Sequence, residues 1–209
     1  MKKVLGETSI REFLKLVESA DEPHGTVAVG AVSAGLGTSV LSMVASLPQT
    51  RSDSMEDRKR LAEAAVGLGH VQEQLLETVE TESAVKLFAA RAMPQGTERQ
   101  RAARQSAIQF ALRASADVPL EVMRLCARAL GHAKTVAAHS SRAASTDVQF
   151  GIGLVRTTFD GARANLEAKL SGLIDARYIT AVVDETARLS EEVAAVGRAT
   201  DGWLRVPPG

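Results

Sequence analysis

The stretch GTVAVGAVSAGLGTSVLSMVASLPQT, residues 25–50, contains no charged residue. Between residues 27 and 47 it consists almost wholly of Ala, Gly, Ser, Val, Leu and Met, which is typical of a helix surrounded by protein on all sides. Small residues keep its surface thin, so that neighbouring backbones can approach: Gly30, Ala31, Ala34, Gly35, Gly37 and Thr38. A Gly costs up to about 1 kcal/mol in a helix interior, and close packing must offset that cost. We therefore expect a central helix with the rest of the chain wrapped around it.

A membrane-spanning helix is the alternative interpretation of this stretch. A helix of about 20 apolar residues spans a bilayer, and the spacing of Ser33 and Gly37 suits pairing of transmembrane helices. However, Gly, Ser and Thr dilute the apolar run, and no cluster of Lys or Arg directly precedes it. The sequence therefore favours a buried helix, and we expect no membrane partner.

The composition of the chain argues against some classes of binding partner and indicates a cellular location. The 209 residues include 25 basic and 25 acidic ones, and this balance argues against binding to nucleic acid or to an anionic membrane surface. The single cysteine, Cys126, rules out a disulfide framework and fits a reducing compartment. Charged residues follow Lys2 and Lys3 before any apolar core, so we expect no signal peptide and a cytoplasmic location.

Only 3% of the residues are aromatic, and the alternation typical of strands is nearly absent. These features predict an all-α fold, a bundle of about six to seven helices around the central small-residue-rich helix. We expect a single domain over residues 1–209, with a frayed tail from residue 201.

Caps and helix breakers predict the boundaries of the helices. Ser9 and Glu12 have the spacing of a capping box, and Pro48 ends the central helix. A long helix is expected from residue 53 or 54 to about residue 93, and another begins at Thr97. Asp117 and Pro119 predict a break and a new helix that fades near residue 140. Ser145 or Thr146 is expected to cap the next helix, and the last is predicted from about residue 179 to 199. Two sets of apolar side chains share helix faces, and the second set is expected to face inward: Ile10, Phe13, Leu14 and Val17, and Ala103, Ala107, Phe110 and Leu112.

Glu80 is the first candidate for chemistry. In a helix it would lie at the edge of an apolar stripe made by Leu76, Ala84 and Leu87. Partial removal from water would raise the pKa of its carboxyl group towards values that suit acid/base catalysis. The alternative is that the glutamates of residues 73–82 form a solvated acidic face, and spacing alone favours that alternative.

Asp147 and Asn165 are two further polar candidates, and each could have a purely structural role instead of a functional one. Asp147 falls in the first turn of a predicted helix, where a carboxylate is stabilised by the helix dipole without any catalytic role. Asn165 lies on a mostly apolar face and therefore needs a hydrogen-bond partner.

Phosphate-loop and metal-site motifs are missing from the sequence. It contains no GxxxxGK[ST], HExxH or CxxC motif. His132 and His139 are seven residues apart, or about 10 Å along a helix, which is too far for adjacent ligation of one metal ion. We expect no metal site, and exposed or capping roles for His70, His132 and His139.

Taken in order, several segments resemble the formiminotetrahydrofolate cyclodeaminase / methenyltetrahydrofolate cyclohydrolase family. They are SIREFLKLV, VAVGAVSAGLGTSVLSMVASL, TESAVKLFAARAMP, ADVPLEVMRLC, STDVQFGIGLV and GARANLEAKLSGLID. The resemblance implies an α-helical homodimer that binds a tetrahydrofolate derivative near the subunit interface and opens or closes a ring C–N bond. It implies no required cofactor, with the folate derivative as the substrate.

The resemblance also assigns roles to individual residues. Glu80 falls where the family has an acidic Asp, Asp147 retains the aspartate of a Ser-Asp helix start, and Asn165 retains the first asparagine of the late helix. Glu80 and Asp147 are thus the expected acid/base groups, and His24 is a candidate base because imidazole titrates near neutral pH. The residues expected to bind substrate come from the loop, the central helix and the late helix: Pro23, Gly25, Thr26, Ser46, Arg51, Asn165 and Lys169.

Several positions depart from the family pattern. The Pro-Gly-Gly-Gly-Ser loop reads PHGTV at residues 23–27, and Ser46 replaces an asparagine. The usual lysine cluster is reduced to Arg51, Gly-Asn before the Ser-Asp helix has become Ser-Ser, and Lys169 replaces the second late asparagine. Glu80 in place of Asp moves the carboxylate by about one C–C bond, a displacement that can cost about 10²-fold in positioned catalysis.

Three functions remain open at this point. The first is the family's folate chemistry, with acid/base help from Glu80 and Asp147. The second is a repurposed cyclase that acts on a different imine or amine substrate in specialised metabolism, which the changed loop with His24 motivates. The third is a non-catalytic helical dimer that binds a ligand or a partner protein.

Overall fold

The computed structural model describes residues 8–18, 26–47, 54–79 and 88–204, with side chains up to residue 200. Six longer helices are α1 (Ile10–Glu18), α2 (Thr26–Ser46), α3 (Met55–Val79), α4 (Glu98–His139), α5 (Ser145–Leu170) and α6 (Ala176–Leu204). A helical turn at residues 88–91 and a 3₁₀ turn at Arg142–Ala144 complete the helical segments of these ranges, which contain no strand. The predicted all-α fold is confirmed.

The helices of the bundle alternate in direction. α2 and α5 are antiparallel, because Gly30 lies against Thr158 whereas Gly37 lies against Gly151. α5 is also antiparallel to α4, and α6 runs parallel to α4 on the outside of the bundle. The core is one apolar cluster drawn from α2, α3, α4, α5 and α6. Alternation therefore places the start of α2 and the end of α5 at one end of the bundle, and the end of α2 and the start of α5 at the other.

Two glycines let α2 and α5 cross at very short range. A Cβ atom added to Gly37 would lie 2.8 Å from the carbonyl oxygen of Gly151, and one added to Gly151 would lie 2.8 Å from Cγ of Leu41. Neither site can accept a methyl group without a backbone shift. The thin helix surface predicted from the sequence is confirmed at this crossing.

α2 is the central helix, but it is not surrounded on all sides as expected. Its buried residues make one face, whereas Leu36 is 58% exposed and Met43 is 46% exposed. These two residues are seven positions apart and therefore share the opposite face. α2 is long and apolar enough to cross a membrane, with a mean hydropathy of 1.8, yet within this fold it packs as a core helix against α3 and α5.

α4 corrects the predicted break at Asp117 and Pro119. It continues for 42 residues with Pro119 inside it. An interior proline costs about 3 kcal/mol, but the following turn buries Leu120, Val122 and Met123, each of which contributes about 1.5–3 kcal/mol. Asp117 is not an N-cap, because its carboxylate accepts a hydrogen bond from the Tyr178 hydroxyl at 2.6 Å.

The predicted caps at Ser9 and Ser54 and the predicted helix start at Thr97 are confirmed. Ser9 and Glu12 bond reciprocally, Ser54 Oγ accepts from the backbone N–H of Asp57, and Thr97 forms a capping box with Gln100. The predicted cap at Ser145 or Thr146 is wrong: α5 begins at Ser145, after Ala144, without a side-chain cap.

Two further expectations need correction. Phe110 does not face inward but is 70% exposed, whereas the next residue, Ala111, is buried. The predicted apolar face of α1 includes Ile10, which is 80% exposed in this chain. The last helix continues to Leu204, beyond the predicted end near residue 199, and residues 205–209 lie outside the described part of the chain.

Candidate functional site

Asn165 and Thr26 meet at the end of the bundle where α2 begins and α5 ends. The Nδ2 atom of Asn165 donates a hydrogen bond to Thr26 Oγ1 at 3.0 Å. The side-chain partner that Asn165 was expected to need is therefore a residue 139 positions earlier. The bond leaves the amide oxygen of Asn165 available for a further donor.

A cleft of about 230 Å³ opens beside this pair, between α2, α4 and α5. Its lining is mainly apolar or small, with the hydroxyl groups of Thr26, Ser33, Thr157 and Thr158: Thr26, Val27, Val29, Gly30, Ser33, Val122, Thr157, Thr158, Gly161 and Ala162. The hydroxyls of Ser33 and Thr158 are anchored on backbone carbonyls of α2, at Val29 and Gly30. The cleft therefore offers apolar contact with a few fixed polar groups, which is typical of small-molecule sites.

Lys169 lies one turn beyond Asn165 on α5. Its side chain is partly buried, and burial lowers the pKa of its amino group. A partly desolvated cation at this end of the bundle favours an anionic neighbour.

Asp147 and Ser46 lie at the opposite end of the bundle. Both residues are exposed, and Asp147 occupies the first turn of α5 as predicted. Asp147 is 18 residues before Asn165 on the same helix, which is about 27 Å along its axis. Within one chain, the predicted site residues are thus divided between two ends and cannot contact one small molecule together.

The other predicted site residues cannot be placed in this way. Glu80, Pro23, His24, Gly25 and Arg51 lie outside the described residues. The described part of α3 reaches Val79, the position before Glu80, and residues 23–25 directly precede Thr26 in the sequence.

Sequence reasoning missed one polar pair at the Asp147 end. His139, in the last turn of α4, contacts Asp57 of α3, with Nδ1 2.9 Å from Oδ1. The capping role considered for His139 did not include this carboxylate, because the two residues are distant in the sequence and share no motif. No spacing signal could have identified it.

A second polar groove lies between α4 and α6. It has a volume of about 320 Å³ and is lined by equal numbers of arginines and glutamates, with Arg124 bidentate to Glu185 at 2.8 Å for both contacts. The hydrogen bond from Arg124 lowers the pKa of Glu185. This groove satisfies its own charges and fixes α6 on α4.

Comparison with known families shows to which protein family this chain belongs. The family model described as formiminotransferase-cyclodeaminase matches residues 9–188. The chain belongs to this family. This match agrees with the resemblance described from the sequence segments.

Two relatives of this cyclodeaminase-family chain are informative. A methenyltetrahydrofolate cyclohydrolase from Methylorubrum extorquens is 29% identical over 196 residues, covering 91% of this chain and 93% of the relative. The crystal structure of formiminotetrahydrofolate cyclodeaminase from Thermotoga maritima superimposes with a TM-score of 0.86, covering 96% of this chain and 97% of the other at 17% identity. The latter likeness supports the fold alone.

Proposed function

We propose that this chain opens or closes the ring C–N bond of a one-carbon adduct of tetrahydrofolate. The observation that carries the proposal is the position of Asn165, the asparagine retained from the family pattern, beside Thr26 at the cleft. The similarity to a methenyltetrahydrofolate cyclohydrolase over most of both chains supports the same chemistry.

The reaction requires proton transfer and stabilisation of positive charge. The bridging carbon of a methenyl adduct is part of an amidinium-like cation, so water can add to it without a cofactor. Carboxylates suit both tasks, because they accept protons and stabilise a neighbouring cation. We assign these tasks to Glu80 and Asp147, with Asn165 and Thr26 as substrate-binding groups and His24 as a further candidate base.

The distance between Asp147 and Asn165 leads us to propose a homodimer. A separation of about 27 Å along α5 excludes a shared site within one chain. The outer faces of α2 and α5 carry Leu36, Met43 and Phe150, all of which are exposed. A two-fold axis that lies in this face and runs perpendicular to the helices would set the Asn165 end of one subunit against the Asp147 end of its partner. Each of the two resulting sites would draw residues from both subunits.

The first test is hydrolysis of 5,10-methenyltetrahydrofolate, followed by the loss of its absorbance relative to buffer. We expect catalysed hydrolysis, a large fall in kcat for Asp147→Asn and Glu80→Gln, and a rise in KM for Asn165→Ala. Thr146→Ala, beside Asp147, is the matched control and should retain activity. Tight folate binding without turnover would instead indicate a ligand-binding dimer. The absence of both folate binding and turnover would contradict the folate proposal.

Lys169 favours a second candidate, a repurposed cyclase of the same fold. The resemblance calls for an asparagine here, whereas this chain has a partly buried lysine with a lowered pKa. Such a cation would select a substrate with an anionic group that the usual asparagine does not require. If Lys169→Asn improves kcat/KM for the folate substrate, the lysine serves a different compound.

A further inference from the structure

We infer that His139, oriented by Asp57, transfers protons in the proposed shared site, to which the same subunit also contributes Asp147. The inference rests on the proposed function, because it assigns a further residue to the same reaction. It begins from the contact of 2.9 Å between Nδ1 of His139 and Oδ1 of Asp57, which joins the end of α4 to the start of α3.

The pair has the geometry of an imidazole held by a carboxylate. Nδ1 lies 2.9 Å from Oδ1 of Asp57, so a proton on Nδ1 would leave the free lone pair of the neutral ring on Nε2. The backbone of Asp57 is itself held by the Ser54 cap of α3. Because the side chains are 21% and 30% exposed, the ring is restrained by packing but is not sealed from solvent.

The surroundings of His139 can stabilise the charge that proton uptake creates. Asp57 compensates an imidazolium directly, and the carbonyl groups of the last turn of α4 favour a cation. Ser140, the next residue, has a buried hydroxyl oxygen without a hydrogen-bond partner in the described part of the chain. An unsatisfied hydroxyl is costly, and it would be satisfied by a bound water or by a polar group of a substrate.

His139 and Asp147 belong to the same end of the bundle. Only residues 140–144 separate the end of α4 from the start of α5, and the 3₁₀ turn Arg142–Ala144 shortens that connection further. The other charged residues within one turn of Asp57 or His139 are Glu56, Arg58, Lys59, Arg60 and Arg142. In the proposed reaction, a water oxygen bonds to the bridging carbon while its proton passes to Nε2 of His139. That proton then returns to the ring nitrogen as the C–N bond breaks, and the remaining hydroxyl proton of the adduct leaves to solvent as the formyl C=O bond forms.

The test compares His139→Gln with His132→Gln on the full-length protein. His132 lies two turns earlier on α4 and packs against Gly67, so it controls for the loss of an imidazole from this helix. We expect kcat for methenyltetrahydrofolate hydrolysis to fall about 100-fold in His139→Gln with KM within about twofold, and to stay within about twofold in His132→Gln. Asp57→Ala should lower kcat in the same direction.

Chemical rescue separates proton transfer from a structural role. In His139→Ala, added imidazole should restore part of kcat without changing the free energy of unfolding. Unchanged kcat in His139→Gln, or a loss that imidazole does not rescue while stability falls, would overturn the inference and leave the proposed function intact. A wild-type protein without turnover would refute both.

Discussion

The size of Gly37 and of Gly151 is tightly constrained by the crossing of α2 and α5. A methyl group on Gly37 would meet a backbone carbonyl, which cannot rotate away as a side chain would. We predict that Gly37→Ala lowers the free energy of unfolding by about 2 kcal/mol, because overpacking outweighs the gain of up to about 1 kcal/mol in helix propensity. Urea denaturation measures this difference.

Gly131 of α4 provides the matched control for that substitution. It is exposed, and nothing lies within 4 Å of an added Cβ atom. Gly131→Ala should therefore raise the free energy of unfolding by up to about 1 kcal/mol. Equal effects of the two alanine variants would contradict the close crossing of α2 and α5.

Glu185 should make stability depend on pH in one direction. Arg124 lowers the pKa of its carboxyl group below the ordinary value of 4.5, so the stabilisation is present above that value and is lost as the pH falls through the lowered pKa. We expect Glu185→Gln to cost about 1 kcal/mol at pH 7 and progressively less below about pH 4.5. Denaturant titrations of both proteins between pH 3 and 7 measure the difference.

Glu192 serves as the comparison for Glu185. It pairs with Arg188 but its side chain is 51% exposed, so solvent screens the interaction. Glu192→Gln should cost less than about 0.5 kcal/mol at pH 7. A constant difference between wild type and Glu185→Gln at every pH would exclude the charge-paired role of Glu185.

At the scale of elements, polar contacts hold α6 against α4. The Tyr178 hydroxyl donates to Asp117, and the Arg113 guanidinium lies 4.4 Å from the centroid of the Tyr178 ring. Tyr178→Phe keeps the ring and loses only the hydrogen bond, so we predict a loss of about 1 kcal/mol and faster hydrogen exchange in the first turns of α6. Unchanged exchange there would show that apolar packing alone holds this helix.

Local signals in the sequence located α2 and several helix starts correctly. Capping at Ser9, Ser54 and Thr97 depends on residues three positions apart, so the pattern contains the whole interaction. The break expected at Pro119 failed because packing of the next turn outweighs the local cost of proline. Phe110 was misplaced because spacing alone did not identify which face of α4 meets the bundle, and the adjacent Ala111 is the buried residue.

Individual residues of the candidate site could be predicted from the sequence, but the contacts between them could not. The late-helix asparagine could be recognised, whereas its contact with Thr26 joins positions that no short motif connects. The contact between His139 and Asp57 likewise joins residues that are distant in the sequence and meet only in the folded chain. The division of Asp147 from Asn165 follows only from their positions along a single helix.

At the scale of the whole molecule, the exposed face of α2 predicts self-association. Leu36 is 58% exposed on a helix that otherwise belongs to the core. Burying one such side chain contributes about 1.5–3 kcal/mol, so Leu36→Glu should shift sedimentation from dimer to monomer. Val66→Glu is the control, because Val66 is 60% exposed on α3 and should leave the dimer intact. A wild-type monomer at micromolar concentration would contradict the prediction.

Mixing two impaired variants, at a substrate concentration well below the raised KM of Asn165→Ala, tests most directly whether each site draws residues from both subunits. Asp147→Asn and Asn165→Ala alter opposite ends of the chain, so a dimer containing one of each retains one intact site and one doubly altered site. After subunit exchange at equal amounts, we predict that hydrolysis of 5,10-methenyltetrahydrofolate recovers to about a quarter of the wild-type rate, since half of the dimers are mixed. A mixture no more active than its two components would contradict the shared site.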